Sequence, residues 1–422
     1  MILTRHTLNS RPVETRPKEH MPASLSDRYY SVLAGKTAGK AASAVEIVDS
    51  VLEAARESGA SDVHLIPVES GLDVLWRIDG VLHPIENLRA DVATNVVSRL
   101  KVLAGLLTYR SETPQEGRIQ SPGEADVEMR VSTFPTMFGE KAVVRLFAGS
   151  GQFKRFETLG LPADVQTGLS DLLMESGGVI LDCGPAGSGK TTTIYACLRE
   201  LADKFGSQRS LVSLEDPIEA VIPGVAQSQI NPTAGFDYET GLKSLMRQDP
   251  EVILVGEIRD QVAAETVFQA ALTGHLVLTT FHAGSATGAI CRLSDMGIEP
   301  YLLRTGLLGI VAQRLVRRLC ECANESSSDS DLMGLDVPSC HVPVGCQKCR
   351  GTGYHGRLLL AEFLRTESSE VGRAILSQSD ADELEALAVS AGMKTRWDRA
   401  VEAVKSGETS PGEVRRVFGF SK

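Results

Sequence analysis

The spacing of apolar residues divides the chain into two regions with different predicted folds. In the first region, apolar residues recur at helical intervals from Ala44, and the helix is expected to end at Gly59. Short strand-like runs follow, and the Asp79-Gly80 pair after the second run is a hairpin signal. We therefore expect a small α+β domain over residues 41–149. Its predicted helices and strands cover residues 44–59, 62–66, 72–78, 90–106, 129–133 and 142–147.

In the second region, strand-like apolar runs alternate with helical ones. This pattern is typical of a parallel sheet with helices on both faces. A polar stretch at residues 323–339 is predicted to be a surface loop, and residues 380–418 are again helical in pattern. The prediction is an α/β domain over residues 158–422. Its expected strands are residues 179–183, 211–214, 252–255 and 276–280.

Composition and the remaining segments limit the class of protein. Residues 1–40 are predicted to be a flexible arm and residues 150–157 a linker. The 54 acidic residues exceed the 43 basic ones, and a net charge of −11 weighs against a general nucleic-acid binder. The sequence contains no apolar run of signal-peptide or membrane-span length. We therefore expect a cytosolic protein whose eight cysteines do not form structural disulfides.

The strongest chemical signal is a glycine-rich run between a predicted strand and a predicted helix. It follows the pattern GxxxxGK[ST], which in this context predicts a phosphate-binding loop. The glycines let backbone N–H groups turn toward a phosphate, and the helix N-terminus adds partial positive charge. Lys190 is predicted to reach the β- and γ-phosphates, and Thr191 to bind Mg²⁺. The predicted nucleotide-binding residues here are Gly184, Pro185, Ala186, Gly187, Ser188, Gly189, Lys190, Thr191 and Thr192.

Carboxylates follow two of the predicted strands, at the edge where ligands bind in an open parallel sheet. Glu257 is predicted to orient the attacking water or to act as the general base. Gly256 stands where an Mg²⁺-binding aspartate is usual, so the metal needs another carboxylate. The acidic cluster after residues 211–214 is the candidate, with a charged turn as the alternative. It comprises Glu215, Asp216 and Glu219, of which Glu215 is the predicted Mg²⁺ ligand.

Two histidines flank the predicted strand at residues 276–280. They are His275, directly before the strand, and His282, shortly after it. A lone histidine is usually structural, but two that flank one strand beside a nucleotide site are candidates for a γ-phosphate contact.

These motifs, in this order, resemble those of the hexameric ATPases that power type II secretion and type IV pilus assembly (the general secretory pathway protein E type). The resemblance runs from about Ala44 to the C-terminus. The acidic cluster resembles the family's Asp box. The segment from Arg247 to Asp260 resembles its atypical Walker B, and the segment from Thr273 to His282 its His box. The signatures of the N-terminal domain are matched by residues 61–64, 77–80, 114–119 and 139–145.

The resemblance implies a fold and an activity. The fold is a RecA-like P-loop NTPase domain, preceded by a small PAS-like α+β domain that covers the nucleotide. The activity is hydrolysis of ATP, with Mg²⁺, to ADP and phosphate. In such enzymes the N-terminal domain swings over the nucleotide and supplies arginines, and Arg130 and Arg145 stand at the matching positions. Without the resemblance, two arginines on the outer face of a sheet would be the simpler interpretation.

The resemblance also implies partners. These are further copies of the chain in a hexameric ring and a platform protein of the inner membrane, with the protein held at the cytoplasmic face. No nucleic acid is expected. Three alternatives remain: a pilus retraction motor, a ring-shaped nucleic-acid translocase, and a nucleotide-gated structural ring with little turnover. Retraction motors generally lack the family's cysteine cluster.

The family's zinc site consists of two CxxC pairs, and this chain departs from it in the first pair, where one residue separates the cysteines. The resemblance still implies zinc, bound by four thiolates at about 2.3 Å within a cysteine-containing insertion at about residues 318–357. Cys340 is an alternative ligand, and free thiols in a reducing cytosol are the alternative to a metal. The predicted ligands are Cys320, Cys322, Cys346 and Cys349. The other cysteines, Cys183, Cys197 and Cys291, are expected in the core.

Two further departures concern the His box and the chain length. Ala283-Gly284 follow His282 where the family usually has Thr-Asn, so a side-chain contact from that turn is lost. About 40 residues precede the first matched segment. We therefore do not expect the additional N-terminal domain with which many members dock at the membrane.

Overall fold

The computed structural model describes residues 43–120, 128–146 and 155–420. Within these ranges, every helix is too short or too polar to cross a lipid bilayer. The predicted arm at residues 1–40 and most of the predicted linker lie outside the described residues. Phe156, which falls inside the predicted linker, packs in the core of the second domain.

The first domain is a six-stranded antiparallel sheet with two helices on one face. The strand order is β3-β2-β1-β6-β5-β4. Helix α1 begins with a capping box between Ser43 and Glu46, and its apolar face packs around the fully buried Trp76. The elements are α1 (Ala44–Glu57), β1 (Asp62–Val68), β2 (Gly71–Ile78), β3 (Val81–Arg89), α2 (Ala90–Leu103), β4 (Gln115–Gln120), β5 (Glu128–Thr136) and β6 (Gly139–Leu146).

The predicted helices and strands of this domain are confirmed, as is the hairpin at Asp79-Gly80, which joins β2 to β3. Strands β3 and β4 were not predicted. They form the two edges of the sheet, and most residues of β3 are partly or fully exposed. An edge strand with little buried surface has a weak alternation of apolar residues, which is the signal that strand prediction uses.

The second domain has a seven-stranded sheet in the order β15-β12-β7-β11-β10-β8-β9. All neighbours are parallel except β12 and β15. Every residue of the central strands β7, β8, β10 and β11 is buried, because helices cover both faces. The strands are β7 (Gly178–Cys183), β8 (Leu211–Glu215), β9 (Ala226–Gln229), β10 (Val252–Val255), β11 (Leu276–Phe281), β12 (Leu307–Leu319) and β15 (Tyr354–Arg365), with a separate pair formed by β13 (Asn324–Ser326) and β14 (Cys340–Val342).

The sheet confirms the predicted α/β class and the four predicted parallel strands. Strands β12 and β15 were not predicted, because arginines interrupt their apolar pattern. The predicted loop at residues 323–339 contains β13 and a short helix. The helices are α3 (Ala163–Leu172), α4 (Lys190–Phe205), α5 (Tyr238–Leu245), α6 (Gln261–Leu272), α7 (Ala286–Asp295), α8 (Pro300–Gly306), α9 (Asp329–Leu332), α10 (Ser369–Leu376), α11 (Ala381–Ser390), α12 (Arg396–Lys405) and α13 (Pro411–Phe418).

The two domains contact each other through the cysteine-containing segment. The Arg350 guanidinium donates to the carbonyl of Ser58, just after α1, at 2.9 Å. The carboxylate of Asp79, in the β2–β3 turn, accepts from the backbone N–H of Gly356 at 3.2 Å. These contacts hold the first domain over the second on the side that carries the cysteines.

Candidate functional site

The glycine-rich loop joins the carboxyl end of β7 to α4, as predicted. Gly187 and Gly189 have φ of 74° and 98°, in the left-handed region that favours glycine. The Lys190 ammonium is folded back into the loop, where it donates to the carbonyls of Gly184 and Pro185 at 3.0 and 3.1 Å. Burial lowers the pKa of Lys190, and the nearby carboxyls of Asp182 and Glu257 oppose that shift. The loop is therefore already closed around its cation.

A pocket of about 330 Å³ opens beside this loop. It collects the carboxyl ends of β8, β10 and β11 and one side chain of the first domain, Arg145. Ligands of open parallel sheets bind at this edge. The predicted site residues that line the pocket are Arg145, Ala186, Gly187, Lys190, Thr191, Glu215, Asp216, Glu219, Glu257 and His282.

Glu257 has a different partner on each carboxylate oxygen. Oε1 accepts from Nε of Arg259, and Oε2 lies 3.4 Å from Nε2 of His282. Arg259 also donates to the carboxylate of Asp216 at 3.0 Å. This arginine therefore links two of the predicted acidic residues and keeps Glu257 pointed into the pocket.

Glu215, the predicted Mg²⁺ ligand, lines the pocket, and its role as a ligand stays a prediction. Its side chain is buried, and both oxygens already accept hydrogen bonds. The donors are the hydroxyls of Tyr195 and Ser213 and, at 3.1 Å, the amide of Gln227. These three bonds leave about one acceptor position of the carboxylate unused. They also anchor Glu215 at the end of β8.

The prediction for His275 is corrected by its position at the opposite edge of the sheet. Its Nδ1 contacts the carbonyl of Ala270 at 2.9 Å and the hydroxyl of Thr273 at 3.0 Å, before β11 begins. The six residues of β11 separate it from His282, which corresponds to about 20 Å of strand. Only His282 reaches the pocket, because a strand carries its two ends to opposite edges of the sheet.

Arg130 and Arg145 are direct neighbours across the β5–β6 ladder. Arg145 lines the pocket beside the glycine-rich loop and also donates to Asp62 at 3.0 Å, while Arg130 lines an adjoining cleft with Asp216. Burial raises the pKa of Glu219, and the charges of Arg130 and Arg145 act against that rise. The arginines of the first domain therefore face the acidic end of β8.

The four predicted zinc ligands lie together, with all four Sγ atoms within 4.8 Å of one another. Three Sγ–Sγ distances are 3.8, 3.8 and 3.7 Å. A tetrahedron with Zn–S bonds of about 2.3 Å has sulfurs about 3.8 Å apart, so the donor set fits zinc. The single residue between Cys320 and Cys322 does not prevent this geometry. Cys340, the alternative ligand, is buried in another cluster against α12 and α13.

The expectation that the three other cysteines are core residues is confirmed for two of them. Cys183 and Cys197 are fully buried, whereas Cys291 is half-buried.

The sequence did not single out two residues that shape the pocket. Arg259 stands two positions after Glu257, and Tyr195 lies one helical turn after Thr191, on the face of α4 that points to β8. The spacing of each from a predicted site residue is the signal that would have identified it.

A comparison with protein families and known proteins matches the chain to the family described as "Type II/IV secretion system protein", over residues 37–416. The type IV pilus assembly ATPase TfpB of Acinetobacter baylyi is 39% identical over 88% of this chain and 65% of its own length. The putative type II secretion system protein E of Escherichia coli K12 is 39% identical over 89% of this chain and 77% of its own length. PilB of Thermus thermophilus, another pilus assembly ATPase, is 37% identical over 88% of this chain and 42% of its own length. The chain thus spans less than two thirds of two of these relatives.

Solved structures agree on the fold. The ATPase DotB of Legionella pneumophila superposes with a TM-score of 0.66 at 21% identity, over 90% of this chain and 96% of that one. The pilus retraction motor PilT with bound ADP superposes with a TM-score of 0.58 at 24% identity, over 88% of this chain and 96% of that one. The family match confirms the resemblance read from the sequence boxes. The chain belongs to the Type II/IV secretion system protein family.

Proposed function

We propose that this chain hydrolyses ATP to ADP and phosphate in the pocket between its two domains. Closure of the first domain over the nucleotide then drives type II secretion or type IV pilus assembly. The observation that carries the proposal is the composition of that pocket. Arg145 of the first domain lines the same pocket as Lys190 and Glu257 of the second. A mobile cation, a phosphate cradle and a carboxylate are the parts that phosphoryl transfer to water requires.

The residues divide this chemistry among them. Backbone N–H groups of the loop and Lys190 would hold the β- and γ-phosphates, and Thr191 would hold Mg²⁺. Bound Mg²⁺ supplies charge neutralisation at the transferring phosphoryl group. Glu257, held by Arg259 and His282, would orient the attacking water. Arg145 would add positive charge to the γ-phosphate when the domains close, with Arg130 beside it.

The test is ATPase activity and nucleotide binding of the full chain. Lys190→Ala should abolish ATP binding, because the cradle loses its cation. Arg145→Ala should still bind ATP but should hydrolyse it roughly 10²- to 10³-fold more slowly, in line with loss of a transition-state charge. Arg89→Ala is the matched control, because Arg89 belongs to the same domain and pairs only at the surface with Asp91. Full turnover by Arg145→Ala would refute the proposal.

For the four-cysteine cluster we propose zinc in a structural role. All four tetrahedral positions are filled by protein ligands, as in structural rather than catalytic zinc sites. The purified chain should contain one zinc per chain. Cys349→Ser should lose it, while Cys340→Ser, which changes a cysteine outside the cluster, should keep it. Metal well below one equivalent in the unaltered chain would contradict the assignment.

We further propose a homo-hexameric ring at the cytoplasmic face of the inner membrane, bound to a platform protein of the secretion or pilus system. Deletion of the gene should abolish pili or secretion, whereas loss of a retraction motor would leave pili in excess. The mass of the native assembly would show whether it contains six copies of the chain. ATP hydrolysis that single-stranded DNA stimulates would favour the translocase alternative instead.

A further inference from the structure

The turn that carries His282 into the pocket is held through the backbone carbonyls of His282 and Gly284, while the Ser285 hydroxyl at its end caps the following helix. The residues after His282 are Ala283 and Gly284, neither of which has a polar side chain. The Arg292 guanidinium, from α7, donates to the carbonyl of His282 at 2.5 Å. Two further guanidiniums, of Arg314 and Arg396, donate to the carbonyl of Gly284. Cations from three separate elements therefore fix this turn.

Arg314 connects the turn to the phosphate-binding loop. One of its nitrogens donates to Gly284 at 2.9 Å, and the other to the carbonyl of its neighbour Gln313 at 3.1 Å. Gln313 is fully buried, and its side-chain oxygen accepts from the hydroxyl of Thr193, in the first turn of α4. Strand β12 thus ties together the loop that would hold the phosphates and the turn that carries His282.

Arg396, at the start of α12, is held in turn by a buried carboxylate. Glu362 on β15 is 1% exposed and lies 2.8 Å from Nε of Arg396. Its other oxygen accepts from the backbone N–H of Ala286 at 2.8 Å, where the turn enters α7. One carboxylate therefore orients the clamping arginine and also pins the far end of the turn.

Three charged side chains, Arg314, Arg396 and Glu362, are costly to bury and take no chemical part in the proposed reaction. Burial and the neighbouring charge of Arg396 lower the pKa of Arg314 to about 10. Among the described residues, Arg314, Arg396 and Glu362 lie outside the lining of the nucleotide pocket. Two partly buried guanidiniums that share one carbonyl repel each other, which is unfavourable unless the position of that carbonyl matters.

We propose that Arg314 and Arg396, with Glu362 behind them, are positioning residues that hold the turn at residues 282–285 so that His282 remains against Glu257. The inference rests on the proposed ATPase function. It assigns the catalytic geometry to three residues from the C-terminal third of the chain.

The first test is the kinetics of Arg314→Ala. The variant should lose roughly 10- to 100-fold in kcat, the scale on which small misplacements of catalytic groups act, while KM for ATP changes less than about twofold. Arg314→Lys, whose ammonium can reach only one carbonyl, should have a kcat between those of Arg314→Ala and the unaltered chain. Arg318→Ala is the matched control, because Arg318 lies on the same strand and pairs at the surface with Glu408. Thermal unfolding of each variant verifies that it is folded.

The second test asks whether Arg314 acts through His282. The double variant with His282→Ala and Arg314→Ala should be no slower than His282→Ala alone, because the second change removes a support that is no longer used. Additive losses, or a loss that appears in KM, would overturn the inference. Arg396→Lys keeps a cation beside Glu362 and should behave like Arg314→Lys.

A readout without turnover separates this inference from the proposed function. In ¹³C-histidine-labelled protein, the ring signal of His282 should shift in Arg314→Ala and stay in place in Arg318→Ala. An unmoved signal would refute the positioning role even if ATP hydrolysis is intact. Conversely, full activity of Glu257→Gln would refute the proposed chemistry while the ring signal still reports on the clamp.

Discussion

At the scale of single residues, the pocket depends on how Glu257 is held. Its two oxygens face a guanidinium and an imidazole, so the carboxylate has a fixed direction and one exposed side. A carboxylate fixed in this way can orient a water molecule without being consumed in the reaction.

We therefore predict that Glu257→Gln binds ATP normally and hydrolyses it at least about 10²-fold more slowly, because general-base or water-orienting groups contribute on that scale. The measurement is single-turnover ATP hydrolysis beside equilibrium binding of a nucleotide analogue. Glu265→Gln is the control, since Glu265 lies on α6 and accepts a hydrogen bond from Gln261 in the same helix. An unchanged hydrolysis rate in Glu257→Gln would show that the water is oriented by another group.

The two histidines of the His box provide a second prediction at this scale. His282→Ala should lower kcat, because the ring lies against Glu257. His275→Ala should leave kcat unchanged and lower only thermal stability, because that ring bonds the end of α6 at the other edge of the sheet. The measurement is the steady-state kcat of the two variants. Equal losses of kcat would contradict the placement of the two histidines at opposite edges of the sheet.

At the scale of secondary-structure elements, the last helix is attached to the sheet by one buried carboxylate. Glu413 at the start of α13 accepts bonds from the backbone and guanidinium of Arg317, on β12, and from Arg416. Burial raises the pKa of Glu413, but the bonds from Arg416 and Arg317 outweigh burial and lower it below its ordinary value.

This lowered pKa predicts how stability depends on pH. A carboxyl whose folded pKa is depressed contributes stability above its unfolded pKa, and that contribution is lost as pH falls through the folded pKa. Glu413→Gln should therefore cost about 2 to 3 kcal/mol at pH 7, and the deficit should shrink as pH falls below about 4.5. Thermal unfolding at several pH values measures it. Glu402→Gln, in an exposed pair with Lys394, should show a small and pH-insensitive change.

At the scale of the whole molecule, the cysteine-containing segment connects the second domain to the first. Asp79 accepts a hydrogen bond from Gly356 and lies 3.6 Å from the guanidinium of Arg357. Both partners follow Cys349 by a few residues, so the fold of the cysteine segment determines where the first domain rests.

Loss of this contact should loosen the domain arrangement. Asp79 has φ of 48°, so Asp79→Gly removes the carboxylate and keeps a residue that accepts this turn conformation. We predict a larger radius of gyration in small-angle scattering and a higher KM for ATP, because Arg145 would face the pocket less often. Asp73→Ala in the same domain, which loses a bond from Asn87 within that domain, should leave both values unchanged. An unchanged radius in Asp79→Gly would assign the domain arrangement to other contacts.

Local patterns in the sequence predicted the glycine-rich loop, the parallel core strands and the carboxylate Glu257, while the resemblance to the family predicted the set of four cysteines. The local predictions follow from residues that are neighbours in the chain: a strand–glycine–helix run, a continuous buried strand, or a carboxylate directly after a strand.

The tertiary structure decided which of these residues share a pocket. His275 and His282 are close in sequence but lie at opposite edges of the sheet, because an extended strand carries them apart. Glu215 follows a strand, and only the fold shows that Tyr195, Ser213 and Gln227 all donate to its carboxylate. Arg314 is brought to Gly284, 30 residues away, by the order of the strands. Such contacts depend on which strands are neighbours in the sheet, and a local pattern carries no information about that order.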